Sequence, residues 1–253
     1  MMSKDQAFLR GISLKREAIE SFDTYPFNIA AVRELQELEF HPDITFIIGE
    51  NGCGKSTLLE AIAVGWGFNA EGGSINFRFS TRASHSILHR YLRPVRSARR
   101  PKDGFFLRAE SFFNVATDIE RMDKEPSLSP PLIGAYGGIY LHDQSHGESF
   151  LALLLHRFRG NGLYILDEPE AALSPTRQLA VLRRIHQLIE ANSQFIIATH
   201  SPILMAYPGA RLYLLDKSGF SEVRYEDTEH FAVTRAFLND PQEALRRLLA
   251  DDK

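Results

Sequence analysis

Only one cysteine, Cys53, stands among the 253 residues. That excludes an internal disulfide and any cysteine-rich metal site, and it suits a reducing compartment, so a cytoplasmic location is expected. No run of 18 apolar residues occurs, so no membrane segment is expected. The opening MMSKDQAFLRGISLKRE also lacks the apolar core of a secretory signal. Neither sign of charge prevails: 29 basic against 32 acidic side chains give a net charge of −3. Internal repeats, low-complexity segments and sustained heptads are missing too, which excludes a solenoid and a long coiled coil. What remains is a chain with 44% hydrophobic residues, enough to bury one large core.

Residues 8 to 48 read as short strands ending in the apolar run Ile44 to Ile48. Ser56 to Trp66 reads as a helix with Leu58, Leu59, Ile62 and Ala63 on one side. Stretches rich in glycine and proline, at Glu71 to Ser74 and Glu125 to Gly138, bracket a polar insert. Gly162 to Ile165, Phe195 to Ala198 and Arg211 to Leu215 read as three more buried strands. Between the first two, an amphipathic helix is capped by Ser174, has Pro175 at its first position, and carries Leu179, Leu182, Ile185, Leu188 and Ile189. Strands alternating with helices predict an α/β fold with a mostly parallel sheet.

Four motifs lie at or near the ends of these elements: GENGCGKS (Gly49 to Ser56), QSHGES (Gln144 to Ser149), LYILDEP (Leu163 to Pro169) and ATHS (Ala198 to Ser201). The first has a strand before it and a helix after it, the context that a phosphate-cradling loop needs. Gly49, Gly52 and Gly54 let the backbone curl so that successive N–H groups face phosphate oxygens, and Glu50, Asn51, Cys53 and Thr57 complete the expected nucleotide-lining set. Lys55 is expected to reach the β- and γ-phosphates of ATP, and the Ser56 hydroxyl to hold Mg²⁺. Asp167 and Glu168 arrive together at a strand end and point different ways: Asp167 toward the metal shell, Glu168 toward the attacking water as catalytic base. His200, at another strand end, is expected to meet the γ-phosphate or that water. Ligands of open α/β sheets bind at the carboxyl edge of the strands, where these residues fall.

In this order the glycine loop, QSHGES, DEP and THS resemble the ATP-binding cassette (ABC) ATPases, over Thr45 to Asp216. GENGCGKS, DEPEAALSP and ATHSP are similar to the stand-alone branch of small AAA-type ATPases related to RecF, SMC and OLD proteins. The resemblance implies a P-loop NTPase fold of ABC type in one domain, 1–253. Its features would be helices on both faces of the sheet, N-terminal antiparallel strands and a small helical insert at about 78–160. It also implies a homodimer with ATP sandwiched at the interface, where Ser145 and Gly147, in the signature position, meet the γ-phosphate bound by the other subunit. His146 and Glu148 depart from that signature, and SHGES also reads as a plain helix cap. No glutamine lies between Thr57 and Asp143, so Glu110 is the substitute for the family's Q-loop glutamine, reaching Mg²⁺ through water. The D-loop aspartate is replaced by the run Ala172, Leu173 and Ser174. Tyr25 and Arg33 are candidates to stack on adenine. Two alternatives stay open: the ATPase subunit of an ABC transporter, and a slow nucleotide-gated module that binds a protein.

From Arg78 to Arg108 nine basic residues stand against a single acidic one, Asp103. If Ser84 to Pro94 begins a helix, Ile87, Leu88, Tyr91 and Leu92 form its buried stripe and His85, His89 and Arg93 recur on another face. Such a basic face fits a nucleic-acid backbone, as in DNA repair or defence ATPases, or equally an acidic protein partner or plain solvent.

Overall fold

The computed structural model describes residues 7–75, 86–108, 112–124 and 131–250. In chain order the elements are β1 (Leu9–Leu14), α1 (Ala30–Arg33), β2 (Glu37–Glu39), β3 (Ile44–Gly49), α2 (Lys55–Trp66), β4 (Leu92–Arg96), β5 (Asp103–Arg108), α3 (Phe112–Lys124) and α4 (His146–Ala152). They continue with β6 (Gly162–Asp167), α5 (Pro175–Glu190), β7 (Gln194–Ala198), α6 (Pro202–Met205), β8 (Arg211–Asp216), β9 (Gly219–Val223), α7 (Glu229–Asn239) and α8 (Pro241–Ala250). The central sheet has the order β5-β6-β7-β3-β8-β9, parallel throughout except for the antiparallel edge strand β9. A second, antiparallel sheet has the order β2-β1-β4.

Every residue of β3, β6 and β7 is buried, as expected of parallel strands covered on both sides. Successive side chains leave opposite faces. Ile47, Ile165 and Ile196 pack with α2 and the antiparallel sheet, while Phe46, Ile48, Leu166 and Ile197 pack with α3, α4 and α5. Helices therefore cover both faces of the sheet. Gln194 joins the two sheets: its side-chain oxygen accepts from the backbone N–H of Phe8 and Leu9, and its amide donates to the carbonyls of Leu9 and His41.

The expected helix from Ser84 to Pro94 does not form. Ser84 and His85 lie outside the described residues, Ile87–Arg90 make one short turn capped by the Ser86 hydroxyl, and Leu92–Arg96 are strand β4, paired with β1. Pro94 has no N–H for a helix to use, and β1 offers an open edge, so pairing wins over coiling. Leu88 and Leu92 are buried as foreseen, but Ile87 is exposed, and His89 and Arg93 lie on a short turn and a strand rather than on one helix face. Leu92–Arg96 and Asp103–Arg108 are strands of the two sheets, so among the described residues the helices of the expected insert fall within 112–124 and 131–157.

Strands β4 and β5 and the segment between them engage much of the basic run. Arg96 lies over the Trp66 ring at 4.6 Å and donates to the Gly65 carbonyl at the end of α2, while Arg99 lies over Phe8. Arg93 faces Glu17, and Arg108 forms a 2.7 Å ion pair with the buried Glu60 of α2. Arg78 and Arg82 fall outside the described residues. Arg90, Arg100 and Lys102 have no ion-pair partner among the described residues.

Among the described residues no helix is long and apolar enough to cross a membrane.

Candidate functional site

The turn between β3 and α2 is built for a close approach. Gly49, Gly52 and Gly54 all have positive φ, and a Cβ on Gly49 would sit 2.2 Å from the Leu215 carbonyl oxygen of the neighbouring strand. Gly54 caps α2, whose first residue, Lys55, is a buried cation. The Lys55 ammonium donates to the carbonyls of Gly49 and Glu50, both at 2.8 Å, so it closes the loop upon itself. Buried charge is tolerated only with such partners, and phosphate oxygens would replace these carbonyls without loss.

Across the sheet, β6 ends in Asp167, beside the helix start. The Ser56 hydroxyl donates to its Oδ1 at 3.1 Å, which brings together two hard oxygen donors 111 residues apart in the sequence. Glu168 follows in the left-handed region (φ 50), a strained conformation for a non-glycine residue, held by its N–H to the Ala198 carbonyl. This turn brings Glu168 Oε1 to 3.6 Å from His200 Nε2. That nitrogen is buried and has no hydrogen-bond partner among the described residues. Burial first, and then the Lys55 charge, hold His200 below the usual histidine range, with Glu168 opposing. Both effects favour the neutral ring.

Glu170 was not assigned a role from the sequence, yet its Oε1 accepts the His200 backbone N–H at 2.6 Å. Burial raises its pKa. Ser201 caps α6 and donates to Gln178 on α5, so the turn after β7 is fixed from both sides. A cavity of about 1260 Å³ opens over the glycine loop, lined among others by Gly52, Cys53, His200, Asp216 and His230. Asn28 and Ile29 line it too, whereas Tyr25 and Arg33, the adenine-stacking candidates, do not. Arg33 instead pairs with Asp23.

Ser145 and Gly147 do not line this cavity in their own chain. Ser145 stands at the N-cap of α4, and Glu148 reaches back to it as in a capping box: the Ser145 N–H and hydroxyl both donate to Glu148 Oε2, at 3.1 and 2.5 Å. Glu148 also pairs with Arg177 of α5. Gly147 is tightly seated, since a Cβ there would come within 2.6 Å of the Ala172 carbonyl oxygen. The plain capping reading of SHGES therefore holds in the single chain. Glu110 lies outside the described residues. Arg108, two residues before it, pairs in register with Asp167.

A family model described as "AAA domain, putative AbiEii toxin, Type IV TA system" matches residues 77–206, more than half of the chain. The chain belongs to this AAA-domain family. A second model, described as "AAA domain", matches residues 18–92, which include the glycine loop. An uncharacterized ABC transporter ATP-binding protein of Haemophilus influenzae is 28% identical over 192 residues, 71% of this chain and 72% of that protein. The DNA repair protein RAD50 of Drosophila melanogaster is 42% identical over 50 residues, 20% of this chain and 3% of RAD50. Among solved structures, an inward-facing "putative metal-chelate type ABC transporter" aligns at 17% identity with a TM-score of 0.49, covering 88% of this chain and 86% of that one. The SMC head domain from Thermotoga maritima aligns at 15% identity with a TM-score of 0.42, covering 85% and 98%.

Proposed function

We propose that this chain binds ATP with Mg²⁺ and hydrolyses it to ADP and phosphate, working as a homodimer in which each copy completes the other's site. The observation that carries this reading is the meeting of Lys55, Ser56, Asp167, Glu168 and His200 at the carboxyl edges of β3, β6 and β7, with a buried ammonium and an unpartnered imidazole nitrogen among them. The donor set fits Mg²⁺. Among the described residues no cluster of three or more His, Cys, Asp or Glu could hold a metal. Mg²⁺ needs none, since it is commonly held by one or two protein oxygens together with phosphate oxygens and water.

In this reading Ser56, with Asp167 beside it at 3.1 Å, would hold Mg²⁺, and the metal would supply neutralisation of phosphate charge when bound. Lys55 leaves the Gly49 and Glu50 carbonyls for the phosphates. Glu168, aimed by its left-handed backbone, takes the proton of the attacking water, and neutral His200 donates from Nε2 to the γ-phosphate or holds that water. Ser145 and Gly147 act on the partner copy's nucleotide, which agrees with their absence from their own cavity. Steady-state ATP turnover, measured beside ATP-dependent dimerisation by gel filtration, tests the reading. Dimerisation with no measurable turnover would favour the slow nucleotide-gated module instead.

Cys53 gives a direct check on where ATP sits. Its sulfur lies 3.9 Å from the Lys55 ammonium inside the loop. Alkylation is expected to abolish ATP binding, and saturating Mg-ATP to slow labelling at least tenfold, by mass action on an occupied loop. Equal labelling rates with and without ATP would contradict the placement of ATP in this loop.

A nucleic-acid partner is supported only by the cations that the fold leaves unengaged. Arg90→Ala, Arg100→Ala and Lys102→Ala together are expected to lower affinity for duplex DNA or single-stranded RNA and to flatten its salt dependence by about three phosphate contacts. Arg96 is best left intact, because it is part of the packing on Trp66. Absence of binding by the ATP-bound dimer at low salt would remove this reading and favour a protein partner.

A further inference from the structure

We propose that His230, on the first turn of α7, is a positioning residue for His200: by packing against that imidazole it keeps Nε2 turned toward Glu168 and the phosphate loop. The proposal rests on the ATP-hydrolysis reading above. It starts from an asymmetry at His200, whose backbone is fixed while its ring is not. The backbone N–H is bound by Glu170, and the next residue, Ser201, caps α6. The ring has no such anchor, since Nε2 is without a hydrogen-bond partner among the described residues and Glu168 Oε1 is 3.6 Å away. The second side-chain torsion of histidine is a broad one, so an imidazole with no bond to hold it takes its orientation from what packs against it.

His230 supplies that contact. The two ring centroids are 5.7 Å apart with the planes tilted by 47°, and both residues line the cavity over the glycine loop. His230 is itself held rigidly. Thr228, almost wholly buried, caps α7 by accepting the Phe231 N–H, and its hydroxyl donates to the Tyr225 carbonyl at 2.7 Å. The Tyr225 and Phe231 rings pack at 4.8 Å on the other side of that cap. The helix start is thus a fixed post, and the tail after β9 becomes part of the nucleotide site although none of the four motifs lies in it.

Packing needs a flat ring at position 230 and no particular nitrogen, which sets the test. In His230→Ala, kcat is expected to fall roughly tenfold with the Kd for Mg-ATP unchanged, because a ring misplaced by about an ångström misses the transition state more than the ground state. His230→Phe should recover most of that loss. If Phe is as impaired as Ala, or if Kd weakens along with kcat, His230 acts through its nitrogen on the nucleotide and the positioning role is overturned. A kcat unchanged in His230→Ala overturns it too. An independent readout uses nucleotide-free protein: long-range ¹H–¹⁵N spectra, with the His200 signals assigned from His200→Gln. His230→Ala should shift the His200 ring signals, and His230→Phe should shift them less. Unmoved His200 signals would sink the proposal whatever the enzyme does. Shifted signals in a protein that binds ATP without turning it over would leave the contact standing and remove the hydrolysis reading instead.

Discussion

Glu168→Gln is expected to lower ATP turnover by roughly a hundredfold or more, the usual contribution of a positioned base, while leaving ATP affinity within a few fold of the native protein. Glutamine keeps the size and the left-handed turn at φ 50 but cannot take a proton from water. Asp167 and Ser56, 3.1 Å apart, are untouched by the change, so the proposed Mg²⁺ ligands are kept. With hydrolysis blocked and binding intact, ATP should hold two copies together, and gel filtration at saturating Mg-ATP should show dimer. A variant that remains monomeric there would count heavily against shared sites. A variant that still turns over ATP at the native rate would move the base elsewhere, and His200 would be the first place to look, since its surroundings favour the neutral ring.

The parts of the fold that the sequence made legible are those whose signal is local. Continuous apolar runs mark strands buried on both sides, so β3, β6 and β7 stand out in the chain, as does the apolar run of the partly buried β8, and the three glycines with Lys55 and Ser56 mark the turn between the first of them and α2. Ser174 and Pro175 likewise announce α5. What stayed hidden depends on partners distant in sequence. LRPVR has neither a long apolar run nor clean alternation, and its strand character comes from the free edge of β1, some 80 residues earlier. The basic run looked like one exposed face because nothing local says that Arg96 finds Trp66 and Arg108 finds Glu60. Among the site residues, Glu170 carried a faint signal as the last acid of DEPE. His230 carried none, for its only distinction is the ring it meets 30 residues back along the chain.

Asp103→Ala is expected to cost about 3–5 kcal/mol of stability, the range found when one partner of a buried ion pair is removed. Asp103 opens β5 with its side chain mostly buried, and it accepts three hydrogen bonds: from Arg157 at 2.7 Å, from the Arg159 N–H at 2.9 Å and from the Tyr164 hydroxyl at 2.8 Å. Tyr164 in turn stacks on Phe158 at 4.2 Å, so the carboxylate ties β5 and β6 to the chain that enters β6. Alanine would leave the mostly buried Arg157 cation without its partner, and a melting temperature lower by roughly 10 °C or more should follow for a domain of this size. Burial pushes the Asp103 carboxyl up, but the bonds and charge of Arg157 outweigh it and hold the pKa below the ordinary carboxylate value of about 4. The sign of the pH dependence follows. The stabilisation is fully present above the unfolded value and is lost as pH falls through the lower folded one. Thermal melts of both proteins should therefore show their widest gap near pH 7 and a progressively narrower gap below pH about 4. A gap that widens on acidification, or a native protein no more stable than the variant at pH 7, would show that this buried network does not hold β5 in the sheet.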